Sequence, residues 1–115
     1  MIYLAAPYSH KDPAVRASRY AAATAVAARL LSEGRSVFSP LTLTHPLDLA
    51  LKRIGRSMDS EYWVAFDEPF MELCSEILVI RLEGWETSLG VEREIAFFES
   101  KARNVQYMDI GTLDL

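Results

Sequence analysis

Residues 77–80 read Ile-Leu-Val-Ile, four consecutive large aliphatics with Glu76 on one side and Arg81 on the other. A strand with one wet face alternates apolar and polar side chains, so an unbroken aliphatic run of this length marks a strand covered on both faces. Such a strand sits in the middle of a sheet with helices packed above and below. The rest of the chain supplies candidates for those layers. Residues 1–6 are apolar and too short for a helix before Pro7, which predicts a buried first strand ending near Ala6. Asp12 followed by Pro13 is an N-cap and a first-turn proline, and the alanine-rich stretch after them runs as a helix to Gly34, with Val15, Ala22, Val26 and Leu30 at roughly helical intervals. Val37 and Phe38 form a second short strand that stops at Pro40.

From Pro40 the pattern loosens. Thr42, Thr44, His45 and Pro46 read as loop, and residues 47–56 hold a helical turn or two. Trp63, Phe66, Phe70, Leu73 and Cys74 make a helical stripe, in which Pro69 predicts a kink or a restart. After the central strand, Gly84 breaks the chain. Ser88 can then cap a last helix carrying Val91, Ile95, Phe98 and Ala102 on one stripe. Residues 105–108 read as a fourth strand. Strand and helix alternate throughout, which predicts one α/β domain over residues 1–115: a doubly wound, flavodoxin-like parallel sheet of about four to five strands in three α/β/α layers. The length excludes a second, separate cofactor domain.

Composition narrows the function. No apolar run approaches the roughly 20 residues needed to cross a bilayer, so no membrane partner is expected. A net charge of −4 gives no long-range attraction for a phosphate backbone, which argues against nucleic acid. A single cysteine, Cys74, and a start without a basic-then-apolar leader point to the cytoplasm. His10 and His45 lack a second ligand at helical spacing, so no metal is expected. Glycine-rich dinucleotide and nucleotide-triphosphate motifs are absent, and no cofactor is expected.

In a sheet of this kind ligands bind beyond the carboxyl ends of the strands where strand order reverses. Three segments should converge there: residues 7–13, 40–46 and 83–90. Ser88-Leu89-Gly90-Val91 opens a helix straight after the most buried strand, which suits either a small anion site or a plain helix cap. Glu94 falls on the border of the stripe that faces the sheet, where a carboxylate is costly unless it lines a solvated cleft; the plain alternative is an edge glutamate reaching water or pairing with Arg93 or Arg103. Asp67, four residues after Trp63, either projects toward the same crevice or caps a helix restarted at Pro69. Tyr3, in the first strand, should be a core phenol whose hydroxyl needs a polar partner, and a buried acid would serve.

The opening Ile2-Tyr3-Leu4-Ala5-Ala6-Pro7, Asp67 eight residues before Ser75, and Ser88-Leu89-Gly90-Val91 with Glu94 together resemble the nucleoside 2-deoxyribosyltransferase superfamily over nearly the whole chain. The similarity is greatest to its short bacterial and phage members, which share the Pro-Tyr-Ser-His and Gly-Trp elements found here at Pro7 to His10 and at Gly84-Trp85. The resemblance implies cleavage of an N-glycosidic bond, with Glu94 as nucleophile, Asp67 handling protons and Tyr3 orienting Glu94. It further implies that Pro7, Ser9, His10, Ser88 and Gly90 receive the sugar or a 5'-phosphate of a small nucleoside or nucleotide. Arg16 and Arg19 are further candidate phosphate partners. A chain that kept the pocket without turnover would be a nucleotide or nucleotide-sugar sensor. Relatives complete their pocket from a neighbour, and so short a chain leaves a shallow crevice, so a homodimer or homotetramer is expected.

Overall fold

The computed structural model describes residues 1–110. Its elements run β1 (Ile2–Ala5), α1 (Pro13–Ser32), β2 (Val37–Phe38), α2 (Pro40–Arg53), α3 (Ser60–Leu73), β3 (Glu76–Ile80), a 3-10 turn over Trp85–Thr87, α4 (Leu89–Ser100) and β4 (Asn104–Met108). The four strands make one all-parallel sheet in the order β2-β1-β3-β4. The chain steps from β1 to β2 in one direction and then crosses back to β3 on the other side of β1. The reversal lies between β1 and β3, and a ligand crevice is expected beyond their carboxyl ends.

Side-chain alternation divides the core. Ile2, Leu4, Leu78 and Ile80 point to one face, where Ala23, Val26, Ala27 and Leu30 of α1 and Leu41 of α2 cover them. Tyr3, Ala5, Ile77 and Val79 point to the other, against Met71 of α3 and Val91 and Phe98 of α4. The aliphatic run of β3 is therefore buried on both sides, as its composition requires, and the result is a three-layer α/β/α domain.

The ends of α1 follow the sequence closely. The Asp12 carboxylate accepts the Ala14 N–H at 2.9 Å, Pro13 stands in the first turn, and Gly34 adopts φ +82° just beyond the C-cap. There the Gly34 N–H donates to Leu31 O and the Arg35 N–H to Leu30 O, the paired bonds of a Schellman ending.

Three expectations need correction. Residues 40–46 are the first two turns of α2, not loop. Pro40 sits in the opening turn, where its missing N–H costs nothing, and Leu41, Thr44 and His45 are buried against α1 and the sheet. That tertiary burial outweighs the poor helix propensity of the threonines and the bond lost at Pro46. Second, α3 passes through Pro69 without restarting. The helical bond lost there belongs to the carbonyl of Ala65, and both residues are exposed, so water can take its place. Asp67 is thus no cap; Asp59 caps α3, accepting the Tyr62 N–H at 2.8 Å. Leu73, expected on the inward stripe, is 71% exposed.

Third, Ala102 is not part of the α4 stripe. The helix ends at Ser100, and Ala102 takes φ +54° in a second Schellman ending, donating to Glu99 O while Arg103 donates to Phe98 O. An L-residue with a Cβ is strained in this region by about 1–2 kcal/mol. Ala102→Gly should relieve that strain at the expense of a looser unfolded chain, for a net gain of about 0.5–1 kcal/mol. The expected reading is a higher urea midpoint with an unchanged slope, and a midpoint at or below that of the wild type would contradict it.

Candidate active site

A cavity of about 1000 Å³ opens beyond the carboxyl ends of β1 and β3. Its wall is made by Tyr8, Ser9 and His10 after β1, by Pro40, Leu41, Thr44 and Asp48 of α2, by Trp63, Val64, Asp67 and Met71 of α3, and by residues 83–94 in part, including Gly84, Ser88, Gly90, Arg93 and Glu94. The three segments expected to converge do so, with one addition. The inner side of α3 forms a complete wall.

At the inner end lie Tyr3, Glu94 and Asp67. Tyr3 is fully buried in β1, and its hydroxyl donates a hydrogen bond to Glu94 Oε2. The side chain reaches Glu94 because odd-numbered residues of β1 face α4, and Glu94 sits one turn after Val91, which is itself packed in that layer. Burial pushes the Glu94 carboxyl up to about 8. The Tyr3 bond and Arg93 pull against that shift, while the charge of Asp67 adds to it. Burial also raises Asp67, to about 6. The Tyr3 phenol is raised far above its ordinary value, first by burial and then by the Glu94 charge, so it remains a donor at any physiological pH.

Neither acid has a salt-bridge partner among the described residues. Arg103, one of the two cations within sequence reach of Glu94, donates instead to the carbonyls of Met71, Glu72 and Cys74. One Asp67 oxygen, Oδ1, is buried with no hydrogen-bond partner at all. The two acids are 27 positions apart in the chain and share one cavity, and the charge of Asp67 adds to the proton affinity of Glu94.

The remaining expected site residues are placed as follows. Ser88 Oγ accepts the Val91 N–H at 3.2 Å, so it caps α4, and the residue also lines the cavity. Gly90 lines the cavity, and a Cβ there would meet only Ser88 Oγ, at 3.8 Å. Ser9 and His10 line it too, with His10 Nδ1 accepting the Asp12 N–H at 3.0 Å. Pro7 is fully buried behind the loop and does not reach the cavity lining.

Arg16 and Arg19 both line the cavity, but their guanidinium groups are engaged with backbone. Arg16 donates to His10 O. Arg19 donates to Ser9 O at 3.1 Å and to Glu83 O at 2.9 Å, tying the loop after β1 to the turn after β3. Gly84, at φ +91°, makes that clamp possible, since a Cβ there would stand 2.8 Å from Arg19 Nη2. Nothing local in the sequence signals this pairing beyond a glycine in the turn. The same holds for His45. It is buried, its Nδ1 shares a 2.7 Å hydrogen bond with the Tyr8 hydroxyl, and Tyr20 stacks on its ring at 4.5 Å. Burial holds its pKa below the ordinary histidine value, against the pull of Asp48, so a neutral ring orients Tyr8 in the cavity wall.

Among the described residues no group of three His, Cys, Asp or Glu side chains is arranged to hold a metal, and no helix is long and apolar enough to cross a membrane.

The two raised carboxyl groups make stability depend on pH. Each binds its proton more tightly in the folded state than in the unfolded chain, so the folded state holds extra protons between the ordinary carboxylate range and about pH 6 for Asp67 or about pH 8 for Glu94. Their contribution is therefore most favourable below about pH 4 and is lost as pH rises through that window. Glu94→Gln should stabilise the protein at pH 8 by about 1–3 kcal/mol and flatten the fall in stability between pH 5 and 8. Denaturant unfolding across that range checks it; an unchanged slope would place the Glu94 carboxyl in bulk-like solvent.

A model of the family described as "Domain of unknown function (DUF1937)" matches residues 1–110. No curated protein matches the chain.

Proposed function

We propose that this chain, which belongs to the DUF1937 family, breaks the N-glycosidic bond of a deoxynucleoside or its 5'-monophosphate and passes the sugar to water or to a second base. The observation that carries the reading is the pair Glu94 and Asp67, held in one cavity with no cation paired to either and with Tyr3 fixing one oxygen of Glu94. Two acids with no cation paired to either suit a reaction whose transition state develops positive charge beside them. Departure of a base from a deoxyribosyl carbon leaves an oxocarbenium-like centre, and a carboxylate facing that centre is stabilised more in the transition state than before it.

In the proposed sequence the Tyr3 hydroxyl, unable to ionise, keeps donating to Oε2 of Glu94, which favours the carboxylate and fixes its direction. The other oxygen of Glu94 attacks the anomeric carbon. The bond from that carbon to the base nitrogen breaks, and the base takes a proton from Asp67, which lines the same cavity. The resulting sugar ester on Glu94 is then attacked by water or by another base, with Asp67 receiving the proton of the incoming group and Glu94 leaving as carboxylate. Ser88 and Gly90 at the start of α4, together with Ser9 and His10, offer donors for the sugar hydroxyl or phosphate.

The raised proton affinity of Glu94 favours a second reading. In the free protein the carboxyl is largely neutral at pH 7, as it would be in a non-catalytic nucleotide or nucleotide-sugar sensor in which it serves as a hydrogen-bond donor.

Incubation with a panel of deoxynucleosides and their monophosphates, with and without an acceptor base, separates the two. The enzyme reading expects free or exchanged base by chromatography. Glu94→Ala should reduce it to background and Asp67→Asn should lower the rate by about 10²–10⁴-fold. The productive state has its one proton on Asp67 and none on Glu94, the minor arrangement of the singly protonated pair in the free protein, so the rate should still be bell-shaped with limbs near pH 6 and pH 8, one of which Asp67→Asn removes. A ligand-dependent rise in melting temperature without turnover would establish the sensor instead. Neither turnover nor a thermal shift across the panel would end both readings.

A further inference from the structure

We infer that Asp48 reads the base of the ligand and selects bases with an exocyclic amino group, such as cytosine and adenine, over uracil and hypoxanthine, which match them in shape. The inference rests on the proposed reaction, which fixes where the base must lie. A displacement at the anomeric carbon brings the nucleophile in on the side opposite the leaving group. Glu94 belongs to α4, which with α3 covers one face of the sheet, whereas α1 and α2 cover the other. The base therefore points away from α4, toward the wall that the loop after β1 and α2 build from Tyr8, Leu41, Thr44 and Asp48.

Leu41, Thr44, Asp48 and Lys52 recur at helical intervals on one face of α2, and all four line the cavity. The Asp48 side chain is 14% exposed, and its one partner among the described residues is Lys52, whose Nζ lies 3.2 Å from Oδ2. Its charge reaches the rings beside it, adding to the rise that burial gives the Tyr8 phenol and opposing the fall that burial gives His45. Other polar groups of this wall are committed elsewhere. Tyr8 and His45 share a 2.7 Å bond, and Arg16 donates to His10 O. The second oxygen of Asp48 is left for a ligand, and a carboxylate accepts hydrogen bonds without donating any. An exocyclic amino group brings donors to that oxygen. The ring nitrogen beside the amino group of cytosine or adenine is an acceptor, to which Lys52 can donate from one turn further along α2. Uracil and hypoxanthine present the two groups in reverse order, so a keto oxygen would stand against the Asp48 carboxylate. Drawing Lys52 toward that oxygen would strip Asp48 of its counter-charge in a largely enclosed position.

Titration calorimetry on the Glu94→Gln protein, which lacks the nucleophile, tests selection apart from turnover. The probes are deoxycytidine against deoxyuridine and deoxyadenosine against deoxyinosine, each as the nucleoside and as the 5'-monophosphate. The amino member of each pair should bind about ten- to a hundredfold more tightly. Adding Asp48→Asn, whose side chain can turn an N–H toward a keto oxygen, should bring each pair close to parity. A ratio near one before that change overturns the inference without any need of the Asp48 variant. A loss of affinity shared equally by all four bases in Asp48→Asn also overturns it, since that is what a merely structural residue would give. Base release by the wild type separates the two failures. Release from all four probes, with no amino preference in binding, overturns the inference and leaves the proposed reaction standing. An amino preference that Asp48→Asn removes, with no base released by the wild type, upholds the role of Asp48 and ends the reaction. No binding of any probe ends both.

Discussion

The hydrogen bond from Tyr3 to Glu94 joins the central strand β1 to α4 through the interior of one layer. It sets the phase of α4 on the sheet. With Tyr3 fully buried and its hydroxyl committed, Glu94 must face inward, which places Val91 and Phe98 against Ala5, Ile77 and Val79 and turns the first turn of α4 toward the crevice. A buried phenol needs a partner, and a desolvated carboxyl needs a donor. Each satisfies the other, but only in part. The carboxyl remains more basic than in water, because burial outweighs what one neutral donor and a nearby arginine return to it.

The cavity above that pair keeps its shape through cations that spend their hydrogen bonds on backbone. Arg16 and Arg19 lie three residues apart on the first turns of α1, so both reach over the same end of the sheet. Between them they hold the carbonyls of Ser9, His10 and Glu83. Loops after β1 and β3 come from different parts of the chain, and a planar guanidinium with several donors is suited to hold both. Tyr8 and His45 do the corresponding work on the α2 side. The acids are thus confined by a rigid rim whose positive charge is directed largely at carbonyls.

Much of the architecture could be read because it depends on local patterns. The aliphatic run of β3, the Asp12-Pro13 start and Gly34 end of α1, and the Ser88 cap of α4 are all set within a few residues. Tyr3 and Glu94 were legible as site candidates for the same reason: strand alternation and helical phase alone turn them inward. Asp67 was half legible, since its placement in the crevice followed from its spacing to Trp63 but its capping role rested on a restart at Pro69 that exposed Ala65 made unnecessary. What failed was what depends on contacts between distant residues. Residues 40–46 became helix because α1 and the sheet bury Leu41, Thr44 and His45, and nothing local foretold that burial. The Arg19 clamp on Glu83 spans 64 positions and the Tyr8–His45 bond spans 37.

An acid pair without a counter-charge is a standing strain on the fold, and the arrangement around it explains why the fold bears it. Tyr3 and Met71 come from opposite walls of one packed layer, so closing the space around Glu94 and Asp67 would mean repacking β1, α3 and α4 together. The cavity lining includes Arg16, Arg19, Lys52 and Arg93, yet none of them is paired to Glu94 or Asp67. A neutral ligand leaves both acids without a paired counter-charge, whereas a ligand that develops positive charge beside them supplies one. In the proposed reaction, the same electrostatic free energy that lowers stability at neutral pH would be recovered as that positive charge develops, so the cost to the fold and the lowering of the barrier would be one quantity.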